Sequence, residues 1–102
     1  MLIQGTTPSH KFRLSISTNL IKDVMITYIQ DRNIILRKTF SDVLAYDNII
    51  YVDLTQEETF LFSHDLRVRI EVRILTNDNK VFGRVFKNIP VEEIIDKEVF
   101  TT

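Results

Sequence analysis

The sequence predicts an all-β domain: an immunoglobulin-like antiparallel β-sandwich of about seven strands, with a one-turn corner helix and terminal arms. Three observations support this prediction. Apolar and polar residues alternate with a period of two in several segments, turn residues recur at intervals of about ten residues, and helical periodicity is weak. The expected organisation is an extended N-terminal arm over 1–9, the sandwich over 10–89, and a C-terminal arm or short helix over 90–102.

The first strands are predicted between residues 11 and 39. In segment 11–17, Phe, Leu and Ile alternate with Lys, Arg and Ser, which indicates a strand buried on one face. Segments 24–29 and 34–39 are rich in β-branched and aromatic residues, and residues 30–33 between them are turn formers. We therefore expect a half-buried strand followed by a β-hairpin.

The middle of the chain predicts one more strand and a corner. Segment 49–54 is apolar and β-branched, and a short seventh strand is possible near 60–62. Between them, Thr55 is followed three residues later by Glu58, the spacing of a capping box. We expect these two residues to cap a single helical turn that crosses between the sheets.

The clearest strand signal lies in segment 66–75, where apolar residues alternate with three arginines and a glutamate. Residues 76–80 supply Asn and Asp, which tolerate left-handed turn conformations. Segment 81–89 then returns, so we expect a second hairpin. Gly83 inside it indicates a bulge or a close backbone approach.

The two ends differ from the strands between them. Pro8 excludes the N-terminal arm from a central strand position, and the arm has no strong periodicity. Pro90 suits the first position of a helix, so residues 90–100 could form a short one.

The net charge of −1 conceals four blocks along the chain. Residues 1–38 carry +4, 39–66 carry −6, 67–90 carry +4 and 91–102 carry −3. Such blocks favour complementary contacts between copies, or neutralise one another within one folded domain. Without cysteine or a run of about 18 apolar residues, we expect no disulfide framework and no membrane span, and no secretory signal is visible.

No pattern in the sequence indicates an enzyme. His10 and His64 each lie beside a serine, but neighbours on a chain point in different directions and form no triad. The two glycines lie too far apart for a phosphate-binding loop, and no cluster has the spacing of a metal site. We therefore expect no catalytic residue, metal or cofactor.

Binding of single-stranded nucleic acid is a weaker hypothesis. It needs arginines and aromatic rings on one sheet face, and the candidates are Arg67, Arg69, Arg73, Arg84, Phe82 and Phe86. Arg84 joins the other three only if the strand register allows it, and rings that face the core would remove the platform. The isoelectric point near 6.1 argues against nucleic acid as a partner.

Three segments carry a resemblance to a known group. Residues 3–8, 54–59 and 73–78 (IQGTTP, LTQEET and RILTND) resemble short proteins encoded among the virion genes of phages and prophages. The pattern is also similar to the N-terminal β-sandwich of phage baseplate-upper and fibre proteins. The match is weaker in the hairpin loop, where Asn79 stands in place of the usual glycine.

The resemblance implies a non-enzymatic virion structural protein, made in the host cytoplasm: a head-fibre, capsid-decoration or tail/baseplate adaptor subunit. Its expected partners are copies of itself, as a homotrimer or higher oligomer, and capsid, portal or tail components. Extended arms and sheet edges dock neighbours by adding strands. The candidate assembly contacts are Ile3, Thr6, Pro8, Arg67, Arg69, Arg73, Arg84, Ile94 and Phe100.

A free-standing carbohydrate- or protein-binding module is the main alternative. Such a sandwich exposes aromatic rings in a groove, and Tyr46, Tyr51 and Phe62 are the available rings.

Overall fold

Nine strands form in residues 1–101, the part of the chain that the computed structural model describes. They are β1 (Leu2–Ile3), β2 (Ser9–Arg13), β3 (Ile21–Gln30), β4 (Asn33–Thr39), β5 (Leu44–Tyr46), β6 (Ile49–Asp53), β7 (Val68–Thr76), β8 (Val81–Ile89) and β9 (Val91–Glu92). One α-helical turn, α1 (Gln56–Thr59), and two 3₁₀ turns, Thr18–Leu20 and Phe40–Asp42, complete the elements. Thr102, the last residue of the predicted C-terminal arm, lies outside the described residues.

Two antiparallel sheets enclose one hydrophobic core. The smaller sheet has the strand order β2-β6-β5 and the larger has the order β4-β3-β7-β8. Ile50 and Val52 of the smaller sheet, and Ile26 and Tyr28 of the larger, are fully buried in the same cluster. The predicted all-β, sandwich-like fold is therefore confirmed.

Both predicted hairpins form, with turn residues in the left-handed region. Asp31 and Arg32 have φ angles of 49° and 65°, the geometry that joins antiparallel strands through a two-residue loop. Asn79, with φ of 64°, supplies the corresponding conformation between β7 and β8. An asparagine can occupy this region because its short polar side chain bonds locally.

The corner helix forms through the predicted capping box. The Thr55 hydroxyl accepts from the Glu58 backbone N–H at 3.1 Å, and a Glu58 carboxylate oxygen accepts from the Thr55 N–H at 2.9 Å. The predicted seventh strand at 60–62 is wrong, because the backbone continues in helical turns. Leu61 N–H donates to the Glu58 carbonyl, and the Phe62 ring enters the core against Tyr28, with 5.8 Å between ring centroids.

The ends of the chain pair with each other. Leu2 lies opposite Val91 in the parallel pair β1–β9, and both side chains are buried. The predicted short helix at 90–100 is wrong: burial of Val91 fixes an extended backbone there, and β-branched residues at 94 and 95 disfavour a helix. Strand β5 was not predicted, because a three-residue segment shows too little alternation to detect.

Candidate assembly surface

Strand β8 is one of the two edge strands of the larger sheet, and β4 is the other. Its nine residues pair with β7 on one side, and no strand in residues 1–101 pairs with its other side. Three large apolar side chains remain exposed along it: Val81 at 65%, Phe82 at 51% and Val85 at 41%. A long edge with unpaired backbone groups and apolar side chains is a template for another strand.

The inner face of β8 is covered only in part by the facing sheet. Five-residue β2 reaches β8 through Phe12, whose ring centroid lies 5.4 Å from that of Phe86. Beyond this contact the sheets leave a cleft of about 220 Å³, lined by both rings and by Arg13, Phe82 and Arg84. The inner face of β8 is thus accessible as well as its backbone.

The strand register separates the four candidate arginines. Arg84 lies opposite Val72, so it points to the inner side of the sheet, where its guanidinium stacks 5.0 Å from the Phe86 centroid. Arg73 lies opposite Gly83 on the outer side. The four arginines therefore do not lie on one face of the sheet, as a nucleic-acid platform would require.

The remaining arginines do not meet the aromatic rings either. Arg67 and Arg69 line a shallow outer depression with Glu71, and the Arg69 guanidinium binds the Glu71 carboxylate at 2.9 Å. Phe82 and Phe86 lie on the opposite, inner face of the sheet, so the arrangement needed for a nucleic-acid platform is not formed.

The N-terminal candidates lie along the body of the protein. Ile3 belongs to β1, and its carbonyl accepts from the Thr6 hydroxyl at 2.7 Å. The Pro8 carbonyl accepts from the Leu54 N–H at 3.0 Å. The first nine residues are therefore tied to the domain, although the side chain of Ile3 is 38% exposed.

Residues 93–101, here named the C-terminal segment, attach to the domain through two buried glutamines. Gln4 Oε1 accepts from the Ile94 N–H at 3.2 Å and from Lys97 Nζ at 2.7 Å. The Gln56 side chain bonds the Phe100 N–H at 2.9 Å and the Phe100 carbonyl at 3.1 Å. These are polar contacts to backbone and ammonium groups.

Two of the four large apolar side chains of the C-terminal segment are strongly exposed, and the other two are partly covered by the domain. Ile95 is 87% exposed and Phe100 is 81% exposed, while Ile94 and Val99 are 36% and 37% exposed. The segment carries three carboxylates and one lysine. It is thus an acidic strip on which Ile95 and Phe100 remain exposed.

One partly buried polar pair connects the two sheets. His10 Nδ1 lies 2.7 Å from the Tyr28 hydroxyl. Burial, followed by the charge of the chain's amino terminus, lowers the pKa of His10. Burial, followed by the Glu58 charge, raises the pKa of Tyr28. Both groups are therefore held neutral, and the pair satisfies polar atoms that the core would otherwise isolate.

A second polar contact joins the larger sheet to the corner helix. Lys38 Nζ on β4 lies 2.7 Å from a Glu58 carboxylate oxygen, and both side chains are mostly shielded from water. Partial burial acts to raise the pKa of Glu58, but the Lys38 ammonium and the Thr55 donors outweigh it and hold that pKa below its usual value.

The three aromatic rings expected for a carbohydrate-binding module, those of Tyr46, Tyr51 and Phe62, do not line one groove. Phe62 is buried in the core, with 1% of its surface exposed. Tyr46 and Tyr51 lie on the outer face of the smaller sheet, where Lys11 covers the Tyr51 ring at 5.7 Å. The expectation that Phe62 contributes to a binding groove is therefore wrong.

Sequence reasoning missed the groups that organise this surface. Gln4 and Gln56 belong to no recognisable motif. Only their burial beside an extended backbone shows that they hold the C-terminal segment. The exposure of Val81 and Val85 was indicated by the sequence, since segment 81–89 has apolar residues at both odd and even positions and therefore on both faces of the strand.

The chain matches no known family model, no curated protein and no solved structure. Within residues 1–101, no helix has the length and hydropathy needed to cross a bilayer.

Proposed function

We propose that this protein is a non-enzymatic structural subunit of a phage virion, which associates with copies of itself through the open edge of β8. The observation that carries the proposal is this nine-residue edge with its exposed Val81, Phe82 and Val85. Natural monomers blunt such edges with charges, prolines or short strands. The β8 edge does carry two charges, Arg84 and Lys87, but it is nine residues long and leaves Val81, Phe82 and Val85 exposed.

The charge distribution and the sequence resemblance support the rest of the proposal. β8 lies in the block 67–90 with charge +4, and blocks of opposite sign precede and follow it. Opposed charges fix the register and orientation of subunits in an assembly. The virion setting comes from the resemblance of segments 3–8, 54–59 and 73–78 to phage structural proteins.

Sedimentation equilibrium tests the association. Val85→Lys places a charge on the edge, while Ile34→Lys places the same charge on β4, the opposite edge of the same sheet, where Ile34 is 55% exposed. We expect the wild type and Ile34→Lys to reach a multiple of the 12.0 kDa chain mass with rising concentration, and Val85→Lys to stay monomeric. A wild type that stays monomeric at every concentration contradicts the proposal.

Mass spectrometry of phage particles purified from bacteria that carry the gene tests the virion setting. We expect the chain in the particles, in stoichiometric amounts that salt washing does not remove. A chain found only in the cleared lysate, together with a defined hit on a glycan array, would instead favour the carbohydrate-binding module.

A further inference from the structure

We infer that the cleft between the two sheets, beside β8, is a binding site for a small apolar molecule that carries a carboxylate. A single copy of the chain forms this cleft. The inference therefore goes beyond the proposed function and does not depend on association between copies.

The cleft is lined mostly by apolar side chains. Leu14, Ile16, Val72 and Ile74 supply aliphatic groups, and three phenylalanine rings complete the apolar lining. One of these rings, that of Phe82, is 51% exposed. Because contact with an apolar group removes such a ring from water, the cleft favours a ligand with an apolar body.

The size of the cleft matches a small molecule. Its volume of about 220 Å³ exceeds the roughly 150 Å³ of an apolar cavity that accommodates benzene. It is smaller than the roughly 300–1,000 Å³ of sites for drug-sized ligands. One ring or one short alkyl chain, with a polar group at its end, therefore suits the available space.

The charge at the cleft is positive and has no internal counterion. Arg13 and Arg84 are the charged residues among those that line it. Neither arginine forms an ion pair within residues 1–101. The planar guanidinium group binds a carboxylate through two parallel hydrogen bonds. A carboxylate at the end of the ligand would therefore complement the charge of the cleft.

Arg84 is the residue best placed to bind the carboxylate. It lies opposite Val72, on the inner side of the larger sheet, and its Cζ atom lies 5.0 Å from the centroid of the Phe86 ring. This stacking orients the guanidinium beside the cleft before a ligand arrives, which reduces the conformational entropy lost on binding. Arg84 thus binds the anionic end of the ligand, and the rings of Phe82 and Phe86 contact its apolar body.

Titration of the full chain with three matched probes, followed by methyl NMR, tests this site. Phenylpropionate, phenylpropanol and phenylpropylammonium share an apolar body and differ in charge. We expect phenylpropionate to bind with a Kd of roughly 1 mM and to shift the methyl signals of Leu14, Ile16, Val72 and Ile74. The alcohol should bind more weakly and the ammonium more weakly still. The methyl signals of Ile34, on β4, should not move.

Two variants at exposed positions separate the charge from the apolar contact. Arg84→Gln should weaken the binding of phenylpropionate roughly threefold or more and leave the binding of the alcohol unchanged. Phe82→Ala should weaken the binding of both. Arg73→Gln removes an arginine from the outer side of the same sheet. It is the matched control and should bind each probe as the wild type does.

Equal binding of the three probes, or no binding of phenylpropionate at about 20 mM, would overturn the inference. It would also fail if the same methyl signals shift when the protein alone is concentrated, because a second copy would then cover the cleft. Binding of phenylpropionate to a chain that stays monomeric at every concentration supports the inference and contradicts the proposed function. Association of copies without binding of phenylpropionate has the opposite meaning.

Discussion

Replacement of Glu58 by alanine tests how the corner helix is held between the sheets. This carboxylate caps α1 through the Thr55 N–H and binds Lys38 of β4 at 2.7 Å. The variant removes both contacts at once and leaves the Lys38 ammonium, whose side chain is 14% exposed, without its anion. We expect a clear loss of stability with the fold retained.

The magnitude follows from the two contacts. Loss of the carboxylate's hydrogen bond to the Thr55 N–H costs about 1 kcal/mol, and an unpaired, mostly buried ammonium costs about 1–3 kcal/mol more. The total of about 2–4 kcal/mol corresponds to a decrease in Tm of roughly 10–20 °C for a domain of this size. Thr55→Ala, which removes only the cap, should lose about 1 kcal/mol.

Urea denaturation at neutral pH measures these differences, and a cycle with Lys38→Met isolates the ion pair. We expect a coupling energy of about 1–2 kcal/mol. The pKa of Glu58 lies below its usual 4.5. Its contribution is therefore present above pH 4.5 and disappears as the pH falls through the lowered pKa. A Glu58→Ala variant within about 0.5 kcal/mol of the wild type, or a coupling energy near zero, would refute this account.

Two further predictions concern single residues. Because burial lowers the pKa of His10 from 6.5, the unfolded chain binds more protons than the folded one, so the free energy of unfolding should decrease as the pH falls below 6.5. His10→Gln should reduce this decrease in urea titrations. An identical pH profile for the wild type and His10→Gln would contradict the prediction. Gly5→Ala should cost about 1–3 kcal/mol, because Gly5 has φ of 74° and a Cβ there would lie 2.9 Å from the Phe60 ring. Gly83→Ala, whose Cβ would meet its nearest atom at 3.7 Å, is the control and should change thermal stability by less than about 0.5 kcal/mol.

The hairpins and the corner were predictable because each depends on neighbours in sequence. The alternation in β7, the turn at Asn79 and the capping box of Thr55 with Glu58 are local patterns, and all three appear in the structure. The strand predicted near 60–62 is absent because a neighbouring element, and not its own composition, determines the backbone there. Its apolar composition fits a strand, but the end of α1 next to it sets the backbone.

The assembly surface was predictable only in part. Segment 81–89 was correctly assigned as a strand, but sequence cannot show that β2 ends before it covers β8. The side of the sheet that Arg84 occupies depends on its register with Val72, which is a contact distant in sequence. The pairing of the two termini is also distant, since β1 and β9 lie at opposite ends of the chain.

Residue-resolved hydrogen exchange at increasing protein concentration tests the central claim most directly, because it observes the backbone groups of β8. In dilute solution, the N–H groups of β8 that point away from β7 should exchange quickly, as those of an unpaired edge do. On association these groups should become protected, while the N–H groups of β4, the other edge, that point away from β3 should still exchange quickly. Association that leaves β8 unprotected, or that protects β4 instead, would contradict assembly through this edge.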